Sequence, residues 1–243
     1  ILDKTFSKNE TTTHNDNDIG YITAPPVRRA DDPNQTTQIA KMNNGRWAVI
    51  MGNGYNSYNQ RPALLIQYLD VDKSLFVLPA TDDTKGTGKA NDNGLSAPAL
   101  VDIDGNRTPD IAYAGDNQGN MWKFDVSHKV ATGNWGVAFS GNPLYVATDA
   151  KGTRQPITSA PNVRTNKSVG GMMVAFGTGR NVTDGDRSDR TSVHTVYSVL
   201  DETKYTLEGS GTNKGKVKAV ASPAPTTVAG RTSKTAHGDL VPR

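Results

Sequence analysis

The stretch ALVDIDGNRTPDIAYAGDNQGNMWKFDVS, Ala99 to Ser127, contains one full turn of a pattern that occurs three times in the chain. A Pro-containing lead-in, APAL at Ala97 to Leu100, is followed by an apolar run ending at Gly115 and a second ending at Asp125. The same order of parts starts with APPV at Ala24 to Val27 and continues through WAVIMG to Gly52 and ALLIQYLD to Asp70. It returns as APNV at Ala160 to Val163, MMVAFG to Gly177 and TVYSVLD to Asp201. The three glycines are 63 and 62 residues apart. Short apolar runs broken by turn residues are strand signals, and a recurring unit of four antiparallel strands is a propeller blade. The fold class expected is therefore all-β, a β-propeller with blades of roughly 60 residues, partial or complete. Three blades fall short of the roughly 4–8 that close a ring. Either a fourth blade is split between the two ends or the chain is part of a larger ring, and a start at Ile1 rather than Met favours the second.

Composition agrees with this reading. The 24 acidic residues include only three Glu (Glu10, Glu202, Glu208), and Asp favours turns where Glu favours helices. No apolar spacing of three to four residues persists long enough for a long helix. The net charge of +3 comes from the tail: from Thr203 onward there are 7 Lys/Arg against 2 acids, leaving the first 202 residues at −2. The basic balance thus gives no support to a nucleic-acid surface. The absence of Cys excludes disulfides, thiolate catalysis and sulfur-ligated zinc. The expected organisation is a polar N-terminal segment over 1–18, blades over 19–202, a flexible basic segment over 203–239, and Leu240 to Arg243 as a tag remnant. Asp82 to Asn93 reads as a polar loop.

Between the lead-in and the first glycine run, Asp102, Asp104, Asn106 and Asp110 occupy positions 1, 3, 5 and 9 of a short loop. Alternate residues of a curling loop point inward, and Ca²⁺ takes roughly 6–8 hard oxygen ligands at about 2.3–2.6 Å. Gly105 allows the tight turn, and Thr108 at position 7 is placed to offer its backbone carbonyl. The loop is not an EF-hand, because position 12 is Tyr113 and strand-like sequence follows. A solvated Asx-rich turn would use the same residue types, but four oxygen side chains at alternate positions exceed what a turn requires.

Other motifs carry less. DGDRSD at Asp184 to Asp189 and DVD at Asp70 to Asp72 read as solvated hairpin turns. GTGK at Gly86 to Lys89 lacks the Ser or Thr of a phosphate loop, and GTGR at Gly177 to Arg180 has nothing helical after it, so both read as turns. The four histidines show no ligand spacing and no nucleophile elbow is present. Trp47, Trp122, Trp135, Tyr113, Phe124 and Phe176 are expected between blades rather than on a sugar-binding face.

The phrases GRWAVIMGNGYNS (Gly45 to Ser57), DIDGNRTPDIAYAGDNQGNMWKFDVS (Asp102 to Ser127), QPITSAPNV (Gln155 to Val163) and MVAFGTGR (Met173 to Arg180) resemble the C-terminal propeller of the PilC/PilY family. These are large tip-associated proteins of bacterial type IV pili, and the resemblance spans about Ile19 to Asp201. It implies a Ca²⁺ loop with Asp102, Asp104, Asn106 and Asp110 as side-chain ligands and a backbone carbonyl near Thr108. Position 5 is Asn106 where family members often have Asp, and the family's N-terminal region has no counterpart here. The resemblance further implies a non-enzymatic role in pilus biogenesis against retraction, twitching motility and host-cell adhesion. Implied partners are minor pilins or pilus tip subunits and a host-cell surface receptor. The implied location is the pilus tip or outer membrane, reached through the periplasm. A quinoprotein-like dehydrogenase ring and a carbohydrate-binding lectin module are the alternatives.

Overall fold

Each repeat turns into a sheet whose side chains alternate between two faces, and both faces of the middle sheet are apolar. The computed structural model describes residues 15–28, 36–70, 72–81, 93–129, 134–166 and 171–221. The first blade is β1 (Ile39–Lys41), β2 (Trp47–Gly52), β3 (Ala63–Tyr68) and β4 (Leu75–Pro79), antiparallel in that order. The second is β5 (Ala99–Val101), β6 (Ile111–Gly115), β7 (Asn120–Asp125) and β8 (Gly136–Val137), with β9 (Tyr145–Val146) also pairing β7. The third is β10 (Asn162–Thr165), β11 (Met172–Gly177) and β12 (Val196–Asp201). A hairpin of β13 (Lys204–Leu207) and β14 (Val217–Ala221) follows. Among the described residues these sheets do not close into a ring.

Period-2 alternation builds the stack. In the second blade Ala112, Ala114, Trp122 and Phe124 join Ile50, Leu64, Ile66 and Tyr68 of the first blade in one core. Ile111, Tyr113 and Met121 point the other way and join Tyr145, Val174, Phe176, Tyr197 and Val199 in a second core. Burying each large side chain contributes about 1.5–3 kcal/mol. Along β12 the same alternation buries Tyr197 and Val199 and exposes Val196, whereas β3 of the first blade is buried along its whole length.

The repeat glycines end β2, β6 and β11 as the spacing predicts. At two of the three the glycine permits close approach between blades. A Cβ at Gly52 would strike the backbone oxygen of Ser96, and one at Gly115 would strike the Ile157 side chain. At Gly177 the same position meets nothing within 4 Å. One residue further on, each repeat sets a polar pin. Asn53 Oδ1 accepts from Ala63 N (3.1 Å) and from Leu95 N of the next repeat (2.8 Å). Asp116 accepts from Trp122 Nε1 (2.8 Å), Asn93 Nδ2 (3.1 Å) and Asn120 N (2.8 Å), and its burial pushes its carboxyl pKa up. Thr178 Oγ1 accepts from Thr195 N (2.8 Å).

Several expectations need correction. Trp47 is 52% exposed, because it stands at the start of β2 on the face turned away from the second blade rather than between the two. The other five aromatics are buried. After APPV, Val27 and Arg28 pair with Thr37 and Thr36 ahead of β1. DGDRSD is not a hairpin turn, since Asp184–Ser188 form a short helix whose Thr183–Asp186 capping box satisfies the first amides. GTGR is not a turn either: Gly177 ends β11 and Gly179 bridges Ile157, and a short helix follows at Asp184–Ser188. From Thr203 the chain, expected to be flexible, forms the β13–β14 hairpin as far as Ala221. GTGK lies outside the described residues, as does most of the N-terminal segment. Within the part of that segment that is described, Asp18 is buried against Arg61 (2.9 Å).

Candidate metal centre

The loop between β5 and β6 hangs from two paired strands, with Val101 opposite Ile111. Its curl comes from two residues in the left-handed region, Gly105 (φ 80°) and Arg107 (φ 68°). Those bends turn successive amides toward Asp102. Its Oδ1 accepts from Gly105 N (2.8 Å) and Asn106 N (3.2 Å), and its Oδ2 accepts from Arg107 N (2.6 Å). Asp104 Oδ1 accepts from Asn106 N (3.1 Å), and Asp104 Oδ2 from Asn106 Nδ2 (2.8 Å). Asn106 Oδ1 accepts from Thr108 N (2.7 Å). Asp110, fully buried at the loop's end, accepts from Ile103 N on Oδ2 (2.9 Å) and from Asn43 Nδ2 on Oδ1 (3.1 Å).

Asp102, Asp104 and Asp110 bring one oxygen each to within 4.8 Å of one another. Asn106 and Thr108 lie in the same curl, with the Asn106 amide turned onto Asp104 and Thr108. Converging three carboxylates is unfavourable without a counter-charge: at about 4 Å each pair repels by roughly 4 kcal/mol at an effective dielectric of about 20. The strain appears at Asp110. Burial, with the Asp104 and Asp102 carboxylates adding to it, raises its pKa to about 6 against the Ile103 and Asn43 hydrogen bonds. An all-oxygen, multiply anionic donor set fits a hard divalent cation, and a loose loop with several carboxylates fits Ca²⁺ better than the strict octahedron of Mg²⁺.

Asn43 is a site residue that the sequence did not announce. It lies in the β1–β2 turn, where Met42-Asn43-Asn44-Gly45 reads as turn chemistry and nothing more. Asp70 and Asp72, the weaker acidic cluster, are instead held by Arg46 (2.8 Å to Asp70 Oδ1), whose hydrogen bonds keep Asp70 below the ordinary carboxylate range.

A family model described as the PilY1 beta-propeller domain matches residues 32–220. The chain belongs to the PilY1 β-propeller family. It is 36% identical over 211 residues to the type IV pilus biogenesis factor PilY1 of Pseudomonas aeruginosa strain PAO1, covering 79% of this chain and 17% of that protein. A PilY1 homolog of Xylella fastidiosa is 35% identical over 209 residues, covering 82% of this chain and 13% of its own length. The crystal structure of the P. aeruginosa PilY1 C-terminal domain superposes with a TM-score of 0.63 at 33% identity, covering 76% of this chain and 38% of that one. The chain thus spans less than a fifth of these full-length relatives.

Proposed function

We propose that this propeller segment is a non-enzymatic, Ca²⁺-binding part of a type IV pilus biogenesis and adhesion factor. The observation that carries it is the convergence of the Asp102, Asp104 and Asp110 carboxylates inside one curled loop of a PilY1-family propeller. In that reading the loop takes Ca²⁺, with Asn106 and the Thr108 backbone carbonyl completing the set. An ion there would tie β5 to β6 at one edge of the second blade, and mass action would convert occupancy into stability. A stiffened edge presents a fixed surface to minor pilins or tip subunits, and through them supports assembly against retraction, twitching motility and contact with a host-cell receptor. The protein works outside the cell or at the outer membrane. A dehydrogenase reading calls for ion ligands from several blades around a cofactor. Among the described residues, the acidic group that could hold a metal belongs to one loop.

The test is made in the full-length protein in a strain lacking its own copy. Asp110→Ala is expected to reduce surface pili and twitching zones at normal protein level. Wild-type piliation and motility in that variant would contradict the proposal.

A further inference from the structure

Asn43 belongs to the first blade and is 4% exposed, yet its side-chain hydrogen bonds reach out of that blade. Nδ2 donates to Pro109 O (2.9 Å) and Asp110 Oδ1 (3.1 Å) of the acidic loop, and to Val126 O just past β7 (3.1 Å). Oδ1 accepts from Lys216 Nζ (2.7 Å), at the foot of β14. The β13–β14 loop is itself closed by Glu208 N to Lys216 O (2.8 Å). Its Asn213 accepts from Lys129 N (2.9 Å) and faces His128 Nδ1 (3.3 Å), so the hairpin tip is seated on the chain leaving β7. A single amide therefore joins the acidic loop, the second blade and a hairpin that follows the third blade in sequence.

The chemistry of that amide gives it a direction. Lys216 donates to its carbonyl, and its N–H groups donate onward to a carboxylate of the loop. Hydrogen bonds in such a chain strengthen one another, most where water is excluded. Outer hydrogen bonds that orient a ligating carboxylate change metal affinity by about 10–100-fold. We infer that Asn43 and Lys216 are positioning residues for the cation loop, and that ion occupancy and seating of the β13–β14 hairpin favour each other. The inference rests on the Ca²⁺ reading above and adds to it a regulator: whatever displaces the hairpin loosens the ion, and the ion holds the hairpin down. Coupling of this kind is reciprocal, so it can be read from either end.

The experiment measures Ca²⁺ affinity by calorimetry on wild type, Asn43→Ala and Lys216→Met, together with amide hydrogen exchange over 208–216 with and without Ca²⁺. Asn43→Ala is expected to weaken binding about tenfold or more. Lys216→Met is expected to weaken it about fivefold. In wild type alone, Ca²⁺ is expected to slow exchange across the hairpin tip. Should Asn43→Ala fail to fold, Lys216→Met, altered at a surface-reaching side chain, decides. Affinities within twofold of wild type, or tighter binding by Lys216→Met because its ammonium repels the ion, would overturn the inference while leaving the Ca²⁺ reading intact. No Ca²⁺ binding by wild type would remove both.

Discussion

Asp110 concentrates the electrostatics of the acidic loop in one side chain. Its carboxyl titrates near 6 in the folded protein against 3.8 as the ordinary value. The folded state therefore holds this proton more tightly than the unfolded chain does. The group's favourable contribution is complete below about pH 4 and is lost as pH rises from there through about 6. A shift of this size corresponds to about 3 kcal/mol at most. In ion-free buffer the stability of wild type relative to Asp110→Asn should fall across that window, as followed by denaturant unfolding at pH 4 and pH 7. Ca²⁺ requires the anion, so its apparent affinity should drop steeply below pH 6, whereas a proton-independent affinity would contradict the assignment. Glycine offers a second residue-scale test. Gly115→Ala forces a methyl into Ile157 and should cost about 1–3 kcal/mol or more, while Gly177→Ala, facing open space, should stay within about 0.5 kcal/mol. Equal costs at the two sites would mean that the third blade is covered where the structure leaves it open.

At the scale of elements, strands β7 and β12 are locked by a pair of buried charges. Lys123 Nζ lies 2.6 Å from Asp201 Oδ2, both side chains 2% exposed, and the Lys also donates to Thr203 Oγ1 (2.7 Å). Burial lowers the Lys123 pKa, while the Lys123 charge and the surrounding donors overcome burial to hold Asp201 below its ordinary range. Removing one partner strands the other, so Asp201→Ala should cost about 3–5 kcal/mol, and Lys123→Met with Asp201→Leu should recover most of that loss. Thermal or denaturant unfolding of the single and double variants decides; an additive double variant would contradict it. How much of these elements the sequence discloses follows the range of the forces involved. The Gly52, Gly115 and Gly177 runs are legible because alternation and turn chemistry are local. The acidic Asp102–Asp110 loop is legible because the spacing of its carboxylates is written within nine residues. Trp47 is not, since its exposure depends on which blade face has a neighbour. Asn43, Lys123 and Lys216 are not either, because each meets partners 66 or more residues away. The helix at Asp184–Ser188 escaped because Thr183 and Asp186 make a capping box too short to leave an apolar period.

For the whole molecule, the seams between blades hold both the cores and the anchor of the acidic loop. Two cores share the second blade, and the acidic loop sits at its end beside the seam with the first blade, tied there by Asn43. An ion bound only to the folded loop stabilises the whole stack by about 2.7 kcal/mol at one hundred times its dissociation constant. The melting temperature should therefore rise with Ca²⁺ and return on chelation, and scanning calorimetry measures the shift. Trp47 on the first blade and Val196 on the third are exposed. The most direct measurement is isothermal titration of Ca²⁺, with Mg²⁺ in parallel, into wild type and Asp102→Ala. One saturable Ca²⁺ site in wild type, weaker for Mg²⁺ and absent from Asp102→Ala, is the predicted result. No Ca²⁺ binding at millimolar concentration, or equal binding by the variant, would contradict it.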